Sequence, residues 1–392
     1  MSALKRQPLI NESRRLYGLC TLAVVAVIVY GSLYPFLFST GQHRLGPLRT
    51  LISTWGVFSG RADVLENILL YVPLGLSLFA FTRGSNSGRI LIGTMGGLFL
   101  SVAVEIAQYY DQKRDTSMSD VYANTAGALT GALAGWLIRR NPNGRLAAIR
   151  RQPYCTFLIL CWWGFQLFPY VPTMSFAKYA NSLRAMVAWG QITAVNFFVV
   201  FAYWLAVAVM LEVIFETAKN GRLVLAVFAA MLLGKVIRAD ILPSPSDFAG
   251  GAAAVGIWIL VLSRLQLRKQ IVAALFLGAV VLLELIPAGR GSPVVNWIPL
   301  RSYLTEPIPI AMSSVFAKMF EYGALLWLLV ASGLPFRVSA TMASILIVTL
   351  GVVQTHFLRH SADITDLLMV LALAVVLGLT QTQSSEQTPY RS

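Results

Sequence analysis

The sequence predicts an all-α, polytopic helical membrane protein of about twelve transmembrane helices, and three observations carry that prediction. Of 392 residues, 57% are hydrophobic and only 12% charged, against about 25% charged in a soluble domain. Apolar runs of spanning length recur along the whole chain. The basic residues gather at the ends of those runs, the arrangement of the positive-inside rule. The net charge of +14 is therefore read as membrane orientation, and no nucleic acid partner is expected.

The first run, 16–38, follows Lys5, Arg6, Arg14 and Arg15. It is longer than the apolar core of a signal peptide and lacks a small-x-small cleavage site, so it reads as the first span. The others are 63–82, 90–109, 120–138, 154–171, 193–214, 222–238, 247–263, 271–287, 314–332, 338–357 and 363–381. The seventh is short for a span. Loops 42–60 and 173–191 mix Trp, Leu and Arg and read as interfacial helices on the outer surface. Trp162, Trp163, Trp189, Trp204 and Trp297 read as interface belts and lipid contacts. Lys235 and Arg238, near the outer end of the seventh segment, read as snorkelling toward headgroups. The tail at 383–392 is polar and reads as disordered.

Charge orients the chain. The clusters Arg139, Arg140, Arg145, Arg150, Arg151 and Arg264, Arg268, Lys269 fall on one side, which becomes the cytoplasm. Both termini then lie inside. Of the acidic residues, only Glu12, Glu212, Glu216 and Glu386 join that side, and the remainder face the opposite end. A multi-pass location in a cytoplasm-facing membrane fits this pattern.

The spans also repeat in fours. The first helix of each set ends in a proline: Leu33-Tyr-Pro-Phe36, Leu167-Phe-Pro-Tyr170 and Leu285-Ile-Pro-Ala288. The fourth opens with an aspartate: Asp120, Asp247 or Asp366. Twelve residues earlier stands a polar side chain: Gln108, Lys235 or Gln354. Four is even, so three parallel repeats follow, over 1–150, 151–268 and 269–382. Positions matching Glu105 are Leu232 and Gly351; those matching Asn124 are Gly251 and Val370; those matching Asn67 are Asn196 and Lys318. The full polar set is confined to the first repeat, which predicts one site there and scaffold or diverged sites in the others.

That set is Asp63, Asn67, Glu105, Gln108, Arg114, Asp120 and Asn124. Polar groups in hydrocarbon are costly unless they face partners or water, so they mark a site. Gly93, Gly97, Ser101 and Glu105 recur at steps of four on one helix. Asp120, Asn124, Gly127, Gly131 and Gly135 make a stripe on the next. Small stripes let helices approach closely in lipid, so the two stripes are expected to pack antiparallel. Asn67, Glu105 and Asn124 would then converge roughly 6 Å below the outer ends, with Asp63, Gln108, Arg114 and Asp120 as a rim. Pro73 and Gly75 would kink or thin the helix beside them. The plainer alternatives are helix-dipole roles for Asp63 and Asp120, inter-helix hydrogen bonds for the asparagines, and a Glu105–Arg114 ion pair.

No metal or cofactor is expected. Cys20, Cys155 and Cys161 lie in apolar runs and read as small buried hydrophobes. His356 and His360, with Asp363 and Asp366 nearby, have no third ligand fixed by spacing. There is no phosphate loop, dinucleotide fingerprint or nucleophile elbow.

The stretches Asp63-Val-Leu-Glu-Asn-Ile-Leu-Leu-Tyr-Val-Pro-Leu-Gly75, Glu105-Ile-Ala-Gln108 and Asp120-Val-Tyr-Ala-Asn-Thr-Ala-Gly127 resemble the three signature blocks of the VanZ-like integral membrane proteins. The resemblance covers about 17–139. It implies envelope biology, the founding member being associated with resistance to teicoplanin, and leaves the reaction open. Longer relatives resemble proteins found with exopolysaccharide functions. Three functions follow. The first is binding of a lipid-linked or amphiphilic envelope molecule at an outward-facing polar cleft. The second is a membrane-embedded enzyme on a lipid-linked sugar or phosphate, with Glu105 as general base and Asp120 or Arg114 as helper. The third is a transporter or flippase.

Overall fold

Apolar runs with few breakers must satisfy their backbone internally in lipid, and the helix is the local way to do so. A computed structural model describes residues 6–34, 36–39, 46–57, 59–112, 114–140, 148, 151–168, 172–216, 221–239, 241–286, 295–357 and 361–386. Each of the twelve apolar segments is helical over most of its described length, and the protein is all-α. Six helices among the described residues are long and apolar enough to cross a membrane: Asp63–Phe81, Asn86–Gln108, Ala194–Phe215, Pro245–Arg264, Ile310–Ala331 and Phe336–His356. Cys20–Leu33 and Ile364–Thr380 are shorter apolar helices.

The chain divides into two compact units, residues 1–147 and 148–392. The first contains α1 (Arg6–Leu33), the short α2 (Pro47–Ser53), α3 (Arg61–Phe81), α4 (Asn86–Gln108) and α5 (Met118–Arg140). Ser85 starts α4 as a side-chain cap, accepting from the Gly88 N–H. Buried Arg89 closes the far end of α3. Its Nε donates to the Phe79 carbonyl at 2.8 Å and its guanidinium lies 4.1 Å from the Phe79 ring centre. Pro73 is accommodated inside a continuous α3. At Gly75 the α5 backbone presses in: a Cβ there would stand 1.9 Å from the Ala128 oxygen.

The second unit contains α6 (Pro153–Leu167), α7 (Phe176–Met186), α8 (Ala194–Phe215), α9 (Arg222–Ile237), α10 (Pro245–Leu260), α11 (Arg268–Leu285), α12 (Arg301–Thr305), α13 (Ile308–Ala331), α14 (Phe336–His356) and α15 (Ile364–Glu386). The order spanning helix, short helix, three more helices thus occurs three times along the chain. The expected interfacial segments hold α2 and α7, which leave Leu48, Ile52, Phe176 and Leu183 exposed.

Two tryptophans depart from expectation. Trp162 and Trp204 are buried and meet edge-on at 4.7 Å inside the second unit's core, because α8 is packed on nearly all sides. Trp163, Trp189 and Trp297 are exposed as belt residues should be. Cys155 and Cys161 are buried free thiols and Cys20 is half-buried. The last helix continues to Glu386, past the expected start of the tail; 387–392 lie outside the described residues.

Candidate functional site

The polar set is positioned by an antiparallel seam between α4 and α5. A Cβ on Gly93 would stand 3.0 Å from the Ala132 methyl, and one on Gly97 would stand 2.2 Å from the Ala128 methyl. One step further, Asn124 Nδ2 donates to Ser101 Oγ at 2.9 Å. By the same step Asp120, four residues before Asn124, comes level with Glu105, four residues after Ser101. Each turn along α4 therefore meets one turn back along α5, and the seam runs from small residues to acids.

This corrects the expected pairing of stripes. The glycines of α5 face α3: a Cβ on Gly127 would meet the Ile68 oxygen at 2.2 Å, and one on Gly131 the Val72 oxygen at 2.0 Å. The neighbouring row, Asn124, Ala128 and Ala132, faces α4. Adjacent residues are 100° apart on a helix, so α5 carries two small rows and is pressed between both partners.

Glu105 is 2% exposed, and its Oε2 accepts the Ser117 N–H at 2.8 Å. Thr116 Oγ1 donates to the Glu105 carbonyl at 3.2 Å. Asp120 accepts Ser59 Oγ at 3.0 Å and side-chain hydrogen bonds from Asn67 and Ser117. The hydrogen bonds at the site divide among neighbouring side chains. Asn67 serves Asp120, Asn124 serves Ser101, and no direct hydrogen bond joins Glu105 to either asparagine among the described residues. Asp63 is exposed in the first turn of α3.

Two rim residues act elsewhere. Gln108 Nε2 donates to the Ser32 carbonyl at 2.9 Å. Arg114 donates to the carbonyls of Tyr34 at 3.3 Å and Gly31 at 3.2 Å. Both satisfy carbonyls that α1 leaves open at its C-terminal end. Arg114 forms no ion pair with Glu105 among the described residues. The sequence reading missed the strap over the site. Thr54 Oγ1 accepts the Met118 N–H at 2.9 Å, Ser119 Oγ accepts the Ser59 N–H at 3.1 Å, and Trp55 meets Tyr122 edge-on at 5.6 Å.

The chemistry of the site is acceptor-rich. Glu66 Oε1, Gln108 Oε1 and Asn124 Oδ1 are buried without a donor among the described residues. Buried acceptors in native proteins ordinarily find protein or water partners, so these oxygens suit a molecule that brings donors. No group of three His, Cys, Asp or Glu suited to a metal occurs among the described residues.

Residues 17–139 match the VanZ/LLP1 family model. This segment is a VanZ-like domain. No curated protein and no solved structure shows a significant match to the chain. The VanZ-like segment ends within the first unit, and the six apolar helices of spanning length among the described residues, in both units, are those of a multi-pass membrane protein.

Beyond the VanZ-like domain a second buried polar cluster appears, in a region expected to hold scaffold or a diverged site. Lys318 on α13 bonds the Glu284 carboxylate and donates to Tyr322 OH at 2.8 Å, with Asp366 Oδ2 at 3.9 Å. Gln354 Nε2 donates to Glu284 Oε2 at 2.6 Å, and Tyr203 OH to Glu321 Oε1 at 2.7 Å. Tyr303, outside the spans, donates to Asp366 Oδ1 at 3.4 Å. Burial first, then the charges of Asp366 and Asp363, hold its phenol above the ordinary range, so it keeps its proton. Asp366 therefore does more than open a helix. Glu284 stands alone in its apolar run, and Glu321 shares its run only with Lys318, which was the signal available in the sequence.

Lys235 does not snorkel. It pairs with Asp247 at 2.7 Å, both largely buried, while Asp247 and Ser244 form a capping box. Arg238 Nη1 donates to the carbonyls of Gln166 at 2.9 Å and Phe168 at 3.3 Å. His356 is exposed and turns back on the Val352 carbonyl at 3.1 Å; His360 lies outside the described residues.

One contact recurs three times. Gln108 reaches the Ser32 carbonyl, Arg238 that of Gln166, and Gln354 that of Glu284, the last at 3.0 Å. In sequence, each acceptor stands three residues before the proline that follows the first helix of its set.

Proposed function

We propose that the VanZ-like domain binds the donor-rich head group of a lipid-linked or amphiphilic envelope molecule, at the end of α4 and the start of α5. The observation that carries this reading is the Asn124–Ser101 hydrogen bond, which sets α4 and α5 in a register that brings Glu105 level with Asp120, beside the buried acceptor oxygen of Asn124. Sugar hydroxyls or an ammonium group supply the donors such a surface lacks. The exposed apolar side chains of Leu48, Ile52, Trp55 and Val57 flank it, as suits an amphiphile entering from lipid. The charge pattern supports an inner-membrane protein with both termini cytoplasmic and this site facing outward. The recurring carbonyl contacts support three parallel four-helix repeats and twelve spans.

A second reading keeps the same molecule and adds chemistry, because two neighbouring carboxylates suit acid–base work. The flippase reading is weaker, since the acids lie in the last turn of α4 and the first of α5, away from a midplane.

The test is mass-spectrometric identification of the amphiphile that co-purifies with the full chain, and with Glu105→Gln and Asp120→Asn. Glu105→Gln retains an oxygen for the Ser117 N–H, so its membrane level should stay near wild type. A bound species depleted in both variants is expected. An equal amount in all three proteins would sink the binding site. A chemically altered species made only by wild type would favour the enzyme.

A further inference from the structure

At the opposite end of α11 from Glu284, the second unit has an arginine-lined cavity of about 690 Å³. Its walls include Arg222, Leu225, Ile259, Ser263, Arg264 and Arg268. Arg268 is committed: its Nε and Nη2 reach Glu212 at 2.9 and 2.6 Å, and its Nη1 reaches the Leu265 carbonyl. Arg222 and Arg264 are exposed and make no hydrogen bond or ion pair among the described residues. The nearby acid Glu216 pairs with Arg151 at 4.0 Å. The cavity thus keeps uncompensated positive charge.

Backbone charge adds to it. α9 begins at Arg222 and α11 at Arg268, and neither has a side-chain cap or an acid in its first turn. Their unfilled N–H groups and positive dipole ends favour an anion. Gly221 keeps the start of α9 tight against α10, since a Cβ there would stand 2.2 Å from Ile259 Cγ1. The cavity is therefore lined by basic and apolar side chains together, with Leu225 and Ile259 close to Arg222.

We propose that this cavity binds the phosphate of an anionic phospholipid, with Arg222 and Arg264 on the phosphate and Leu225 and Ile259 against the glycerol and first acyl carbons. Arginine forks match phosphate oxygens bidentately, and basic pockets between membrane helices are a known way to hold lipid headgroups. The apolar wall favours a lipid over free phosphate. This site is separate from the proposed head-group site of the VanZ-like domain and does not depend on it.

The experiment measures thermal unfolding of the full chain in neutral detergent. Phosphatidylglycerol, phosphatidylcholine or inorganic phosphate is added to wild type and to Arg222→Gln/Arg264→Gln. Phosphatidylglycerol should raise the wild-type midpoint more than phosphatidylcholine. The double variant should bind phosphatidylglycerol roughly 30-fold more weakly, two near-surface arginines being lost. Its own midpoint without lipid should match wild type, because neither side chain makes a bond. An equal phosphatidylglycerol response in the variant overturns the site. An equal response to inorganic phosphate overturns the lipid assignment. If the double variant is unstable, photo-crosslinking of wild type with a diazirine-bearing phosphatidylglycerol decides instead. Label on Leu225 or Ile259 supports the proposal, and label confined to other segments refutes it.

Discussion

Gly131→Ala adds one methyl where the structure leaves no room. The new Cβ would stand 2.0 Å from the Val72 oxygen and 2.8 Å from the Leu76 nitrogen. Ordinary contact begins near 3.4 Å, so α3 and α5 must part by about 1.4 Å (3.4 minus 2.0). The obstacle is backbone and cannot change rotamer, which puts the overpacking cost near the top of the usual range, about 3 kcal/mol. Separation also forfeits a close Cα–H···O contact of about 0.5–1 kcal/mol. Alanine returns up to about 1 kcal/mol of helix propensity. The net loss is about 2–3 kcal/mol. It should appear as a lower unfolding midpoint of the purified protein in detergent, followed by size-exclusion fluorescence. Gly256→Ala is the control. Nothing lies within 4 Å of its added Cβ, so it should be neutral or stabilising. If Gly131→Ala is as stable as Gly256→Ala, α3 and α5 are not in backbone contact, and the placement of Asn67 against Asp120 fails with it.

Lys318→Met should cost about 3–5 kcal/mol, because it strands the buried Glu284 charge. Adding Glu284→Leu should recover much of that loss in the same assay, and no recovery would refute the pairing. Asp247→Asn should lower stability through the weakened Lys235 pair, and by more than Asp63→Asn, whose carboxylate is exposed; the reverse order would count against the buried pair. Reporter fusions at positions 143 and 266 should read cytoplasmic and those at 114 and 292 external. An external reading at 143 would overturn the orientation.

Much of the fold was legible because lipid imposes a simple rule: apolar segments become helices, and all twelve did over their described lengths. Partner choice was less legible. Steps of four locate the small residues of α5, but they do not say whether Gly131 or its neighbour Ala132 meets α3. That depends on which flank each partner occupies, which is a tertiary fact. The same limit hid the hydrogen-bond partners at the site: Asn124 donates to Ser101, Glu105 accepts from the Ser117 N–H, and Asp120 accepts from Ser59. Gln108 and Arg114 were legible as polar but not as clasps on α1, since a carbonyl acceptor carries no side-chain signature. Glu321 was overlooked for another reason. It stands three residues after Lys318 in an apolar run, a pair that breaks no pattern although both charges are costly in hydrocarbon.

The two small rows of α5 also bear on how the chain is made. A helix of Gly, Ala, Thr and Asn offers the insertion machinery little greasy surface, and α5 falls outside the helices apolar enough to span by composition. Its partners α3 and α4 both meet that standard and leave the ribosome earlier. By the time α5 emerges, a ready-made slot waits for it, shaped by the Val72 carbonyl on one wall and Gly97 on the other. Entry into the membrane is then a templated step for this segment, guided by shape where hydropathy is weak. Asp120, the acid at its leading end, then arrives facing the Ser59 hydroxyl that donates to it.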